Sequence, residues 1–78
     1  MSIETKVRKI VAEKLKNIDI EDVIPEASFE NDLGANSLDM FELFMTMEEV
    51  FEIDTDDDDA ARSIVTVQDA IDYVKSKL

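Results

Sequence analysis

Apolar residues recur at helical spacing in three separate stretches of this chain, and nowhere do they alternate as in a strand. One Gly and one Pro in 78 residues exclude a loop-rich or collagen-like chain. Ile3, Val7, Ile10, Val11, Leu15 and Ile18 form one stripe of an amphipathic helix over residues 3–18. Lys14 falls inside that stripe, where its stem can run along the apolar surface and its ammonium can reach water. Residues 19–36 hold Pro25, Ser28, Asn31, Asp32 and Gly34 and read as a long connection, pinned inward by Val23, Ile24, Phe29 and Leu33. Connections this long in so small a domain are uncommon and often functional.

A second helix is expected over 37–52. Asn36 or Ser37 can cap it, and Asp39 and Glu42 suit its first turn. A turn follows at 54–59. Residues 59–64 have the pattern of one short helical turn, with Ala60, Ala61 and Ile64 inward. The last helix spans 66–77. Thr66 and Asp69 make a capping pair, and Val67, Ala70, Ile71, Val74 and Leu78 line its inner face. The expected fold is all-α: a small four-helix bundle of three long helices and one short one, in a single domain over 1–78.

The charge is unevenly placed. Residues 1–18 carry five bases against two acids, residues 19–59 carry sixteen acids and no base, and residues 60–78 carry three bases against two acids. The net charge of −12 opposes nucleic-acid binding, which depends on cations that neutralise phosphates. No stretch approaches the roughly 20 apolar residues of a membrane span, and no signal-peptide run opens the chain. A cytoplasmic monomer, kept apart by self-repulsion, is expected. With no Cys and no His, disulfides, thiol nucleophiles and the commonest general base are absent. Asp54, Asp56 and Asp58 open like a calcium loop, but Asp59 stands at the sixth position and Val65 at the twelfth, where Gly and Glu are required. That leaves weak divalent binding to the Asp run as the only metal expectation.

Projected at about 100° per residue, the second helix has two apolar faces. Val50, Leu43, Met47, Met40, Phe51 and Phe44 make a core stripe. Leu38, Phe41 and Met45 make a second patch, rimmed by Glu42, Glu48, Glu49 and Glu52. Glu48, Glu49 and Glu52 sit at the negative end of the helix dipole, and Glu48 and Glu52 form a like-charge i,i+4 pair. Local stability does not account for them. An apolar patch ringed by acids fits a partner whose apolar pocket is ringed by Arg and Lys.

The stretch Asp32-Leu33-Gly34-Ala35-Asn36-Ser37-Leu38-Asp39 ends the connection and opens this helix. A helix N-terminus stabilises phosphate through its free N–H groups and dipole, so a hydroxyl there suits a phosphodiester. The stretch resembles the acyl carrier protein signature, Asp-Leu-Gly-Ala-Asp-Ser-Leu-Asp. The resemblance extends to the Val7 to Leu15 helix, to Ala27-Ser28-Phe29, to Glu48-Glu49 with Phe51, and to the run from Thr66 to Tyr73. It implies that Ser37 carries 4′-phosphopantetheine, transferred from coenzyme A by a phosphopantetheinyl transferase. The cofactor's thiol would hold acyl groups as thioesters, and the protein would be a carrier rather than an enzyme. It further implies a partner face of Leu38, Asp39, Phe41, Glu42, Met45, Glu48 and Glu49. That face would meet acyl-transferring and fatty-acid-synthesis enzymes with basic docking patches. Fatty acid biosynthesis is the commonest role it implies. A specialised polyketide, lipid-modification or aminoacyl carrier is the alternative within the family, and an unmodified acidic adaptor the alternative outside it. Asn36 departs from the family's Asp, Phe41 and Phe44 are bulkier than its usual residues, and Thr55-Asp56 replaces its Ile-Pro pair.

Overall fold

The computed structural model describes residues 2–15, 18–54 and 63–78. Among these residues it has three α-helices: α1 (Ile3–Lys14), α2 (Ser37–Phe51) and α3 (Val67–Lys77). A single 3₁₀ turn, Ile20–Asp22, lies in the α1–α2 connection. Among the described residues the fold is all-helical. The short helical turn expected at 59–64 is not counted, because positions 59–62 lie outside the described residues.

α1 begins at a serine cap: the Ser2 hydroxyl accepts the Thr5 N–H at 3.1 Å. It ends at Lys14, not at 18. Leu15 turns extended, yet its side chain stays buried, so the apolar stripe outlasts the helix. Periodicity predicts which side chains point inward, and an irregular chain can also point them inward. Val7, Ile10 and Val11 are buried, and Ile3 and Ile18 pack partly against the same core.

The connection is held at both ends. Arg8 of α1 donates from Nε to the Val23 carbonyl at 2.8 Å and from Nη2 to the Ile20 carbonyl at 3.0 Å. Further along, Ser28 pairs with Thr66 in an isolated antiparallel bridge. There the Phe29 N–H donates to the Val65 carbonyl and the Val67 N–H to the Ala27 carbonyl. Val23, Phe29 and Leu33 are buried as expected. Ile24 is not: it lies exposed, and Ala27 and Ala35 fill core positions instead.

α3 starts with the capping box read from the sequence. Asp69 N–H donates to the Thr66 hydroxyl, and the Asp69 carboxylate accepts the Thr66 and Val65 N–H groups, both at 3.0 Å. The Thr66 N–H above all, then that of Val65, holds the Asp69 carboxyl below its ordinary value. A carboxyl lowered on folding adds stability that is present above its unfolded value of about 4 and lost as pH falls through the folded value. Asp69→Asn should cost about 1 kcal/mol at neutral pH. Below pH 4 its melting temperature should fall less steeply than that of the parent, and thermal melts across that window check this. The inner face of α3 holds Val67, Ala70, Ile71 and Val74 as expected, with Tyr73 added. Leu78 lies past the last turn, exposed.

α2 crosses the core with Leu43 and Met47 fully buried and Met40, Phe44 and Phe51 partly so. Val50, expected in the same stripe, is 51% exposed. Its phase matches that of Leu43, seven residues earlier, but it stands in the last turn of the helix, where the core no longer covers that face. The helix stops at Glu52, whose φ of 55° is left-handed. That conformation favours glycine, and the carboxylate there also meets the negative helix end. Glu52→Gly should therefore stabilise the fold by about 1 kcal/mol. For a domain of this size that raises the melting temperature by roughly 4–8 °C.

Candidate functional site

The start of α2 is prepared by the residues before it. Gly34 takes a φ of +69°, a left-handed conformation that redirects the chain into the helix. An added Cβ there would meet no heavy atom within 4 Å, so its requirement is backbone freedom and not space. Leu15, Leu33, Gly34 and Asp39 line a cleft of about 220 Å³ at this corner.

The sequence leaves the cap open between Asn36 and Ser37, and the structure assigns it to Asn36. The Asp39 N–H donates to Asn36 Oδ1 at 2.8 Å, and the Asn36 N–H donates to Asp39 Oδ2 at 3.1 Å, a complete capping box. Ser37 is thereby displaced to the first helical position. It is exposed, and its hydroxyl has no hydrogen-bond partner among the described residues. The N–H groups of Ser37 and Leu38 likewise have no acceptor among the described residues. A hydroxyl in water beside two open donors at the positive end of a 15-residue helix fits a covalently attached phosphodiester.

Leu38 is 63% exposed, Phe41 61% and Met45 52%, so the second apolar face of α2 is on the surface as expected. Glu42, Glu49 and Glu52 are exposed around it, and Glu48 and Asp39 are half-buried. All the expected site residues lie on α2: Ser37, Leu38, Phe41, Glu42, Met45 and Glu49 are exposed, while Glu48 is half-buried and Asp39 turns its carboxylate back to the Asn36 N–H. The sequence reading missed two contributors. Arg8 ties the start of the α1–α2 connection to α1, and nothing in its spacing signals that. Lys14 shares a groove with Glu42, Met45, Thr46 and Glu49, and the signal was its place as a lone charge in an apolar stripe. No cluster of acidic side chains among the described residues is arranged to hold a metal ion, and the run at 55–59 lies outside them. Among the described residues no helix is long and apolar enough to cross a membrane.

A family profile described as "Phosphopantetheine attachment site" matches residues 5–74. The chain is 62% identical over 77 residues to the acyl carrier protein of Desulforapulum autotrophicum, covering 99% of each sequence. It is 56% identical over 77 residues to that of Nitratidesulfovibrio vulgaris strain DP4, again covering 99% of each. Among solved structures, the acyl carrier protein from Enterococcus faecalis matches with a TM-score of 0.78 and 29% identity, over 97% of this chain and 94% of that one. The chain belongs to the acyl carrier protein family. It is a carrier, not an enzyme, and its cofactor is 4′-phosphopantetheine, held covalently.

Proposed function

We propose that Ser37 is the attachment residue and that the chain, as one domain over 1–78, carries acyl intermediates of fatty acid biosynthesis in the cytoplasm. The observation that carries this reading is the division of labour at the helix mouth: Asn36 and Asp39 close the capping box, and Ser37 keeps a solvent-facing hydroxyl without a partner. When bound, the cofactor supplies a thiol on a flexible arm to a chain that has no Cys of its own. The Ser37 and Leu38 N–H groups and the α2 dipole would hold the phosphate end. Asn36 keeps the capping geometry that Asp would give, with one negative charge fewer beside that phosphate.

The exposed strip of Leu38, Phe41 and Met45, with Asp39, Glu42, Glu48 and Glu49, is the docking face in this reading. Its partners are the phosphopantetheinyl transferase and acyl-transferring enzymes of fatty acid synthesis, each with a basic rim around an apolar pocket. Net charge of −12 favours a monomer.

The test is intact mass spectrometry of the unmodified protein incubated with coenzyme A, Mg²⁺ and a promiscuous transferase. One phosphopantetheine increment is expected, located by fragmentation on Ser37. Modification at another residue, or none, overturns the assignment. Straight-chain fatty acyl masses on protein taken from cells support the pathway, and a set of other acyl groups overturns it.

A further inference from the structure

We infer that Lys14 sets partner selectivity by placing one cation inside the otherwise acidic docking groove of α2. The inference rests on the reading of that helix as the docking face. The face is not α2 alone. The end of α1 lies beside it, and Lys14, Glu42, Met45, Thr46 and Glu49 line a common groove of about 340 Å³. Met45 is one of the three exposed apolar residues of the patch, so the groove is continuous with it. Thr46 also lines it, with its hydroxyl donating to the Glu42 carbonyl at 3.0 Å.

Lys14, Glu42 and Glu49 are all exposed, and Lys14 forms no ion pair with any described residue. Its charge is therefore not cancelled by a contact with any described residue. A groove of that volume is on the order of 7 Å across, within one Debye length at physiological salt, so any group that approaches Glu42 or Glu49 also feels Lys14. Residues 19–54 contain no Lys or Arg, which leaves Lys14 as a cation contributed to this face from α1.

The chemistry of discrimination follows. A rim made only of Arg and Lys gains from Glu42 and Glu49 and is repelled by Lys14. A rim that sets one carboxylate or carbonyl oxygen opposite Lys14 gains from all three. Selectivity thus comes from a repulsive element placed among attractive ones. Lys14 also suits the negative end of α1, but that role changes stability and not the sign of a binding effect.

The probe is a labelled synthetic amphipathic helix with Leu on one face and Arg alone on its flanks, titrated by fluorescence anisotropy with the full unmodified chain. Lys14→Met is compared with Lys9→Met, another exposed lysine of the same helix, so net charge is matched at −13 in both. Thermal melts establish that both variants are folded. Lys14→Met should bind about two- to fivefold tighter than Lys9→Met at low salt, with the difference gone near 0.5 M salt. A peptide with one Arg replaced by Glu should lose less affinity for the parent chain than for Lys14→Met. Equal affinities for the two lysine variants at low salt overturn the inference. Phe41→Ala and Glu49→Gln serve as the separate check on the docking face. If both leave affinity unchanged, that reading fails and the inference fails with it. If both weaken binding while the lysine variants stay equal, the inference alone fails.

Discussion

Ser37→Ala should remove the phosphopantetheine increment completely and leave the fold as stable as before. Both halves of that result come from the same geometry. At the first helical position the Ser37 side chain caps nothing, because Asn36 and Asp39 already exchange both capping hydrogen bonds. Alanine removes one exposed hydroxyl and brings the best helix propensity, so the stability change should stay within about 0.5 kcal/mol. Asn36→Ala is the mirror case. It removes an acceptor that the Asp39 N–H uses at 2.8 Å and should cost about 1 kcal/mol. Ser37 of that variant should still be modified. Intact masses after incubation with coenzyme A and transferase, together with thermal melts, separate the two roles. A Ser37→Ala protein that still gains the increment would falsify the assignment. One that loses several kcal/mol would show that the hydroxyl is structural.

Most of the fold was readable because three stripes of apolar residues have the helical period, and the Thr66–Asp69 cap could be named from residue types alone. The misreadings share a cause. Periodicity gives the direction of a side chain about its own helix and says nothing of whether another element reaches it. Val50 and Leu78 have the right phase, but both sit at a helix end and lie exposed. Ile24 is as apolar as Val23, but adjacent residues of a non-helical chain point to different sides, and only Val23 faces the core. Leu15 shows the converse, a buried residue whose helix has already ended. At the site, the outer patch of α2 was legible because no single core can cover two faces of one helix. The cap was not, since Asn and Ser both cap well and only the backbone decides between them: Asn36 is extended and Ser37 helical. The groove at Lys14 needed the packing of α1 against α2; the lone charge in the α1 stripe marked the residue but not what it faces.

Leu43→Ala should be the most damaging single substitution in α2, and Val50→Ala among the mildest, although the two share a stripe seven residues apart. Leu43 has no exposed surface, so truncation leaves a cavity at the centre of the core. Losses at such sites run to about 2–5 kcal/mol. A 78-residue domain has roughly 4–12 kcal/mol in total, so the variant should be partly unfolded at physiological temperature. Val50 is half in water, and its truncation should change stability by no more than about 0.5 kcal/mol. Sixteen acids without a base over residues 19–59 repel one another in the folded state more than in the expanded one. Added salt screens that repulsion and should recover part of the Leu43→Ala loss without filling the cavity. The same residue couples stability to function, because the outer face of α2 stays in place only while its inner face is packed. Leu43→Ala should thus slow modification at Ser37 at 37 °C and restore it on cooling or with salt, whereas Val50→Ala should not change it. Urea melts with and without salt, run beside the modification time course, decide it: equal stabilities for the two variants would mean that α2 is held by something other than its buried stripe.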